Sequence, residues 1–179
     1  MIYYLAYGSN LHPERLRRRV PSCKALGSIR LSHYQLAFHK IGSDASGKCD
    51  AFYTGDAQDY LIGVVYQMDP AEQSLLDVAE DLGNSYQLKY EQVELRGESL
   101  DLFFYVASPG FVDQSMTPFS WYKGLVVTGA RYHGLPQDYL DWLQSVPELT
   151  DPEFQRDLFH REILDHPLPD LDNGLVELT

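Results

Sequence analysis

The sequence predicts an α+β fold, with a mixed, barrel-like curved β-sheet and helices packed around it. Three observations predict it. Strand-like runs dominate the first half of the chain and helix-like runs the second. The 44% hydrophobic and 13% aromatic content is that of a globular chain, not a disordered one. A chain of 179 residues can bury about two-thirds of its unfolded surface in one core but is too short for two. We therefore expect a single domain over residues 1–165. The Pro- and Asp-rich stretch over 166–179 reads as an irregular tail.

Residues 2–7 form a continuous apolar and aromatic run, the pattern of a buried strand. The turn-forming cluster Gly8-Ser9-Asn10 ends it. Pro13 then suits the first position of a short helix carrying Arg15, Arg17, Arg18 and Arg19. Those arginines read as a solvated helix face, with an anion site as the alternative. Residues 28–40 alternate as one strand, with Ile29, Leu31, Tyr34, Leu36 and Phe38 on one side, and 42–49 read as a small, polar loop.

Another strand is expected over 60–68. Asp69 is a good N-cap, Pro70 fits the first helical position and Glu72 has capping-box spacing. That helix runs to about Asp81 and stops near Gly83-Asn84. Leu75, Leu76, Ala79 and Leu82 make its apolar stripe, with Asp77 and Asp81 on the solvated face. Strands at 86–95 and 99–107 flank a hairpin turn at Arg96-Gly97-Glu98. After a loop over 108–116, Thr117-Pro118 caps a helix over 118–129. Gly134-Leu135-Pro136 breaks it, 137–146 forms the next helix, and Thr150 to Glu153 starts the last, to about 163.

Charge narrows the partners. With 26 acidic against 14 basic residues, the net charge of −12 repels phosphate backbones and anionic membranes. No apolar run approaches the roughly 18 residues of a membrane span. The N-terminal Met1 to Asn10 lacks the basic-then-apolar order of a signal peptide. Cys23 and Cys49 make neither a disulfide framework nor a metal-ligand spacing, and the six histidines are scattered. The expectation is a cytoplasmic protein that works without metal or cofactor, on neither nucleic acid nor membrane. Nothing in the sequence sets an oligomeric state.

Three pieces could carry chemistry. Past a buried strand, Tyr7-Gly8-Ser9-Asn10 presents backbone N–H groups with no ladder partner, a concavity suited to a carboxylate or an oxyanion. Gly8 permits close approach or a positive φ. By spacing alone an ordinary strand-to-helix turn is the better reading of the tetrapeptide, and no G-x-S-x-G elbow makes Ser9 a nucleophile. Glu80 borders the apolar stripe in a helix's last turn, where burial and the helix dipole both disfavour a carboxylate. Its plain alternative is an exposed acid at the stripe's edge. Tyr122, early in a helix, could reach a cleft or fill the core.

Together, Tyr7-Gly8-Ser9-Asn10-Leu11 after the first strand, an acid ending the helix that follows Gly63-Val64-Val65-Tyr66, and the run Tyr122-Lys123, Gly129-Ala130, Gly134-Leu135-Pro136 resemble the γ-glutamylcyclotransferase family. The resemblance spans roughly residues 1–145. It implies an enzyme that cyclises a γ-glutamyl group to 5-oxoproline, releasing an amino acid or amine, with no cofactor. By the motif match Glu80 shuttles the proton, and the loop from Tyr7 to Asn10, with Leu11, binds the γ-glutamyl portion. Tyr86 and Tyr122 fall on pocket-lining positions. A glycine often follows the family's glutamate, whereas this chain has Asp81. The substrate is then a small γ-glutamyl compound, and residues 108–117 are the expected wall on its leaving-group side. A second reading keeps the fold without the chemistry: a non-catalytic module that binds γ-glutamyl or amino-acid-like ligands.

Overall fold

A computed structural model describes residues 1–169. Among these residues are seven strands and five α-helices: β1 (Ile2–Ala6), α1 (Pro13–Arg19), β2 (Lys24–Ser32), β3 (Tyr34–Ile41), β4 (Gly47–Tyr53), β5 (Tyr60–Met68), α2 (Gln73–Ala79), β6 (Tyr86–Leu95), β7 (Glu98–Ala107), α3 (Ser120–Tyr132), α4 (Gln137–Ser145) and α5 (Phe154–Leu164). Five strands form one sheet in the order β2-β5-β1-β7-β6, and β3-β4 make a separate ribbon. β1 runs antiparallel to β5 and parallel to β7, so the sheet is mixed as expected. It is curved but does not close. Its edge strands β2 and β6 face each other across a groove of about 620 Å³ and are not paired. The expected tail lies outside the described residues from position 170 onward.

The centre of the sheet is apolar on both faces, which explains the unbroken runs in β1 and β5. Leu5, Leu61, Ile62, Met68, Leu102 and Phe104 are fully buried. Burial of each such side chain contributes about 1.5–3 kcal/mol. The β6-β7 hairpin turns through Arg96 and Gly97, at φ 55° and 78°. Two positive φ values in a two-residue turn match the twist of the flanking strands.

Several boundaries differ from the sequence reading. The strand expected over 28–40 is two, because His33 at φ 69° breaks it and sends its N–H to Asp59. The loop expected over 42–49 is shorter. Asp44 closes the turn by accepting from Ser46, and β4 already starts at Gly47. Asp69 does cap, accepting from the Ala71 N–H, but its first turn is a 3-10 turn over Pro70–Glu72. Glu72 makes no capping box and instead accepts from the Ser22 N–H and hydroxyl. In α2 only Leu76 of the expected stripe is buried, while Leu75 and Ala79 are exposed and Leu82 is half-buried. Asp77 is not merely solvated, since its carboxylate accepts from the Tyr105 hydroxyl at 2.6 Å. Thr117-Pro118 does not cap α3, whose N-cap position is Phe119. The Thr117 carbonyl accepts from Gly47 N–H instead. Among the described residues, no helix is long and apolar enough to cross a membrane.

Candidate active site

Past β1 the chain makes a single 3-10 turn, Ser9–Leu11, in which the Leu11 and His12 N–H groups return to the Gly8 and Ser9 carbonyls. The N–H groups ahead of Leu11 start a helical turn and so have no acceptor within it. Helix α3 presses against this turn from beneath. A Cβ on Gly129 would stand 2.3 Å from the Leu11 carbonyl carbon and 2.5 Å from the His12 nitrogen. Gly8 has an ordinary φ of −110°. It is needed for close approach, since a Cβ there would meet Cys49 Cβ at 2.9 Å.

Glu80 follows α2 directly, with its N–H on the Leu76 carbonyl. Asp81 then adopts φ 54°, taking the left-handed conformation that a glycine would supply in its place. Asp is one of the few residues that tolerate it. This bend aims the Glu80 carboxylate at the loop. Glu80 Oε1 accepts from Asn10 Nδ2 at 3.0 Å and from Arg19 Nη1 at 2.6 Å. Asn10 Nδ2 also reaches the Tyr4 hydroxyl oxygen at 2.9 Å, and Arg19 Nη1 reaches Asn10 Oδ1 at 2.9 Å. Among the described residues no hydrogen bond reaches Glu80 Oε2.

A cage of tyrosines surrounds the carboxylate. Tyr86 donates to the Cys49 carbonyl at 2.6 Å, and the Cys49 N–H donates to the Tyr122 oxygen at 3.0 Å. The backbone of one β4 residue, Cys49, therefore positions both tyrosines. Tyr7 donates to the Tyr105 carbonyl. Burial, and then the nearby Glu80 charge, raises the Tyr4 hydroxyl above its ordinary value, and burial raises Tyr7, Tyr86 and Tyr122 as well. All four stay neutral. A small cavity, about 20 Å³, lies between Gly8, Ser9, Asn10, Glu80, Tyr86 and Tyr122. It shares Ser9, Glu80, Tyr86 and Tyr122 with an outer cleft of about 670 Å³.

The sequence-derived residues Tyr7, Gly8, Ser9, Asn10, Glu80, Tyr86 and Tyr122 thus line one cavity. Leu11 does not; it is fully buried beneath the turn. The reading of the arginines as a solvated face holds for Arg17 and Arg18, which pair with Glu14. It fails for the other two. Arg19 joins Glu80, and Arg15 donates to Ser9 Oγ at 3.0 Å while lining the outer cleft. Burial, and then Arg19, lowers Arg15 to about 10. Spacing held the signal: residues four apart share a helix face, which sets Arg15 with Arg19 directly after the loop. Five of the chain's fourteen Lys and Arg line the outer cleft (Arg15, Arg19, Lys40, Lys48, Arg156) although the protein is acidic overall. Such a cleft concentrates anions at a carboxylate-bearing floor. His160, stacked on Trp121 at 3.7 Å, lies on its wall. Burial, and then Arg15, lowers His160 to about 4, which keeps it neutral.

The chain is similar to known proteins. A model of the AIG2-like family matches residues 60–143. A Mus musculus γ-glutamylcyclotransferase is 30% identical over 148 residues, covering 80% of this chain and 77% of the relative. The Bos taurus γ-glutamylcyclotransferase is 28% identical over 156 residues, with the same coverage of each chain. A solved γ-glutamyl cyclotransferase structure, 23% identical, superposes with a TM-score of 0.77 over 90% of this chain and 98% of its own, which supports the fold.

Proposed function

The chain belongs to the γ-glutamylcyclotransferase family, and on that premise we propose that it cyclises a γ-glutamyl compound to 5-oxoproline, releasing the attached amine. The observation that carries this reading is the Glu80 carboxylate: Oε1 is held by Asn10 and Arg19, and Oε2 is left for the substrate. The substrate's own α-amine is the nucleophile, so no Ser or Cys is required. Its nitrogen, as the neutral amine, attacks the γ-carbonyl carbon and closes the ring. Glu80 takes the proton that the nitrogen sheds. The bond from that carbon to the leaving nitrogen then breaks, and Glu80 returns the proton to the departing amine. One carboxylate serves as base and then acid, a role worth about 10²–10⁴-fold.

The Ser9–Leu11 turn receives the γ-glutamyl portion, and its free N–H groups offset charge developing on the carbonyl oxygen. The tyrosine cage holds the flexible chain curled, with amine and carbonyl in contact distance, which is the proximity contribution. The cations of the outer cleft draw in a carboxylate-bearing substrate.

The test is 5-oxoproline release from a panel of γ-glutamyl amino acids, amines and peptides, in the wild type and in Glu80→Gln. Turnover of at least one compound, abolished by the substitution, supports the reading. Binding without release across the panel points instead to a module that only binds such ligands. Undiminished turnover by Glu80→Gln moves the proton transfer to another group.

A further inference from the structure

Helix α4 and the starts of β3 and β5 enclose a further cavity, of about 330 Å³, lined by Gln35, Leu36, Tyr60, Asp138, Tyr139 and Trp142. It shares no residue with the outer cleft or with the small cavity at Glu80, and the chemistry above makes no use of it. Half of its lining is aromatic. Tyr139 and Trp142, three positions apart, share one face of α4, with ring centroids 5.6 Å apart and planes tilted by 39°. Tyr139 is buried, and its hydroxyl oxygen accepts from the Ile62 N–H, so this ring is held in place. Trp142 and Tyr60 are 41% and 38% exposed, leaving ring surface for a ligand to cover. The one carboxylate of the lining is Asp138. Its Oδ1 accepts from the Tyr139 N–H at 2.8 Å, and among the described residues no hydrogen bond reaches Oδ2. No lysine or arginine lines the cavity.

These contents select a class of ligand. The face of an aromatic ring is electronegative and attracts a cation, and the carboxylate adds to that attraction. An anion would meet the wrong sign on every wall, and a neutral molecule would leave the Asp138 charge unmatched. The Tyr60 ring already holds one cation: the Arg30 guanidinium, from outside the cavity, stands 4.7 Å from its centroid. The field of a chain with net charge −12 favours cations here, in contrast to the outer cleft, where five Lys and Arg gather. We propose that this cavity is a binding site for a small organic cation, an alkylated ammonium whose carbon groups lie on the three rings and whose charge faces Asp138. Its volume of about 330 Å³ is at the low end of small-molecule sites, about 300–1,000 Å³, which suits a compact free cation.

The experiment compares choline with 3,3-dimethylbutanol, its uncharged isostere with carbon in place of nitrogen. The chain has two tryptophans and Trp121 is 2% exposed, so a change in fluorescence on binding reports Trp142. The wild type should bind choline saturably, about tenfold more tightly than the isostere. By calorimetry, Trp142→Leu and Asp138→Asn should each raise Kd for choline about tenfold, while Asp138→Asn leaves the affinity for the isostere unchanged. Both side chains reach the surface, and melting curves beside the titrations show that the variants are folded. Equal affinity for choline and the isostere makes the cavity merely apolar and overturns the cation assignment. Choline binding unchanged in both variants overturns the site. A short peptide carrying trimethyl-lysine that binds far more tightly than choline gives the cavity to a modified protein side chain and overturns the free ligand. No saturable signal from choline or tetramethylammonium at millimolar concentration overturns the proposal outright.

Discussion

Arg19 Nη1 stands 2.6 Å from Glu80 Oε1 and 2.9 Å from Asn10 Oδ1. One guanidinium thus ties the end of α1 to the Ser9–Leu11 turn and to the residue closing α2. Arg19 and Glu80 are 61 positions apart in sequence, and neither β1 nor α2 alone would fix the carboxylate. The pair is largely shielded, with 22% and 17% of the side chains exposed. Its value lies in orientation: a carboxylate held through one oxygen presents the other.

Removing that partner should therefore damage chemistry more than stability. Arg19→Met is expected to lower kcat for 5-oxoproline release at least tenfold, roughly the share of one charge-assisted hydrogen bond. Steady-state kinetics beside a melting curve checks this. Unchanged kcat would show that Glu80 needs no such anchor.

The packing of α3 makes a second prediction from two glycines of one helix. At Gly129 a Cβ would strike the backbone of Leu11 and His12 at 2.3 and 2.5 Å, while at Gly124 it would meet only the methyl end of Leu164 at 3.0 Å. Gly129→Ala should cost about 1–3 kcal/mol through overpacking and push the Ser9–Leu11 turn out of place, lowering activity further than Tm alone accounts for. Gly124→Ala should be near neutral, because the gain in helix propensity of about 1 kcal/mol offsets a small shift of Leu164. Equal Tm values for the two variants would contradict this view of the interface.

These contacts also show what the sequence could and could not convey. β1, β5 and the β6-β7 hairpin were legible because their signals are local: apolar runs, and a turn at Arg96-Gly97 whose residues both take positive φ. The break at His33 was not, because a histidine carries no turn signal and the φ of 69° is fixed by its bonds to Asp59, Thr54 and Gly55. β4 begins Gly-Lys-Cys-Asp, which has no alternation, and exists through pairing with β3. In the site, Glu80 and the loop came from a resemblance spread over three motifs, since no single motif carried them. The arginines were misread because four cations in a short helix look like a surface. Only the fold decides that Arg17 and Arg18 meet Glu14 while Arg15 and Arg19 turn into the cleft. Asp81 looked like a departure from the family pattern, and its φ of 54° makes it a substitute for the glycine.

Cys49 holds Tyr122 and Tyr86 through its two backbone groups, so a hydroxyl deletion should be felt as an unpaired backbone group. Tyr122→Phe leaves the buried Cys49 N–H without its acceptor, an expected cost of about 1–3 kcal/mol. Chemical denaturation of the variant measures it directly. A loss well under 1 kcal/mol would mean that the N–H finds another acceptor.

Stability should fall with acid through a window that buried histidines define. His12 is fully buried with both ring nitrogens unpartnered, and His133 is buried against Leu11 and Tyr66. Burial lowers each to about 4 from an ordinary 6.5; for His12 the next cause is the Arg15 charge, while the Leu11 carbonyl partly opposes the shift at His133. Both folded values lie below the unfolded one, so between pH 6.5 and 4 the unfolded chain binds more protons than the folded chain. The stability gained by keeping these rings neutral is complete above about 6.5 and is lost as pH falls toward 4. Below that, Glu14 continues the trend. Its bonds to Arg18 and Arg17 lower it to about 2 from 4.5, so its contribution is lost as pH drops from 4.5 toward 2. Melting temperature measured from pH 7 to pH 4 should decline steadily in the wild type. In His12→Leu the decline should be shallower, because one proton uptake is gone. An equal slope in the two proteins would mean that His12 already takes up its proton in the folded state, in conflict with its burial beneath the Ser9–Leu11 turn.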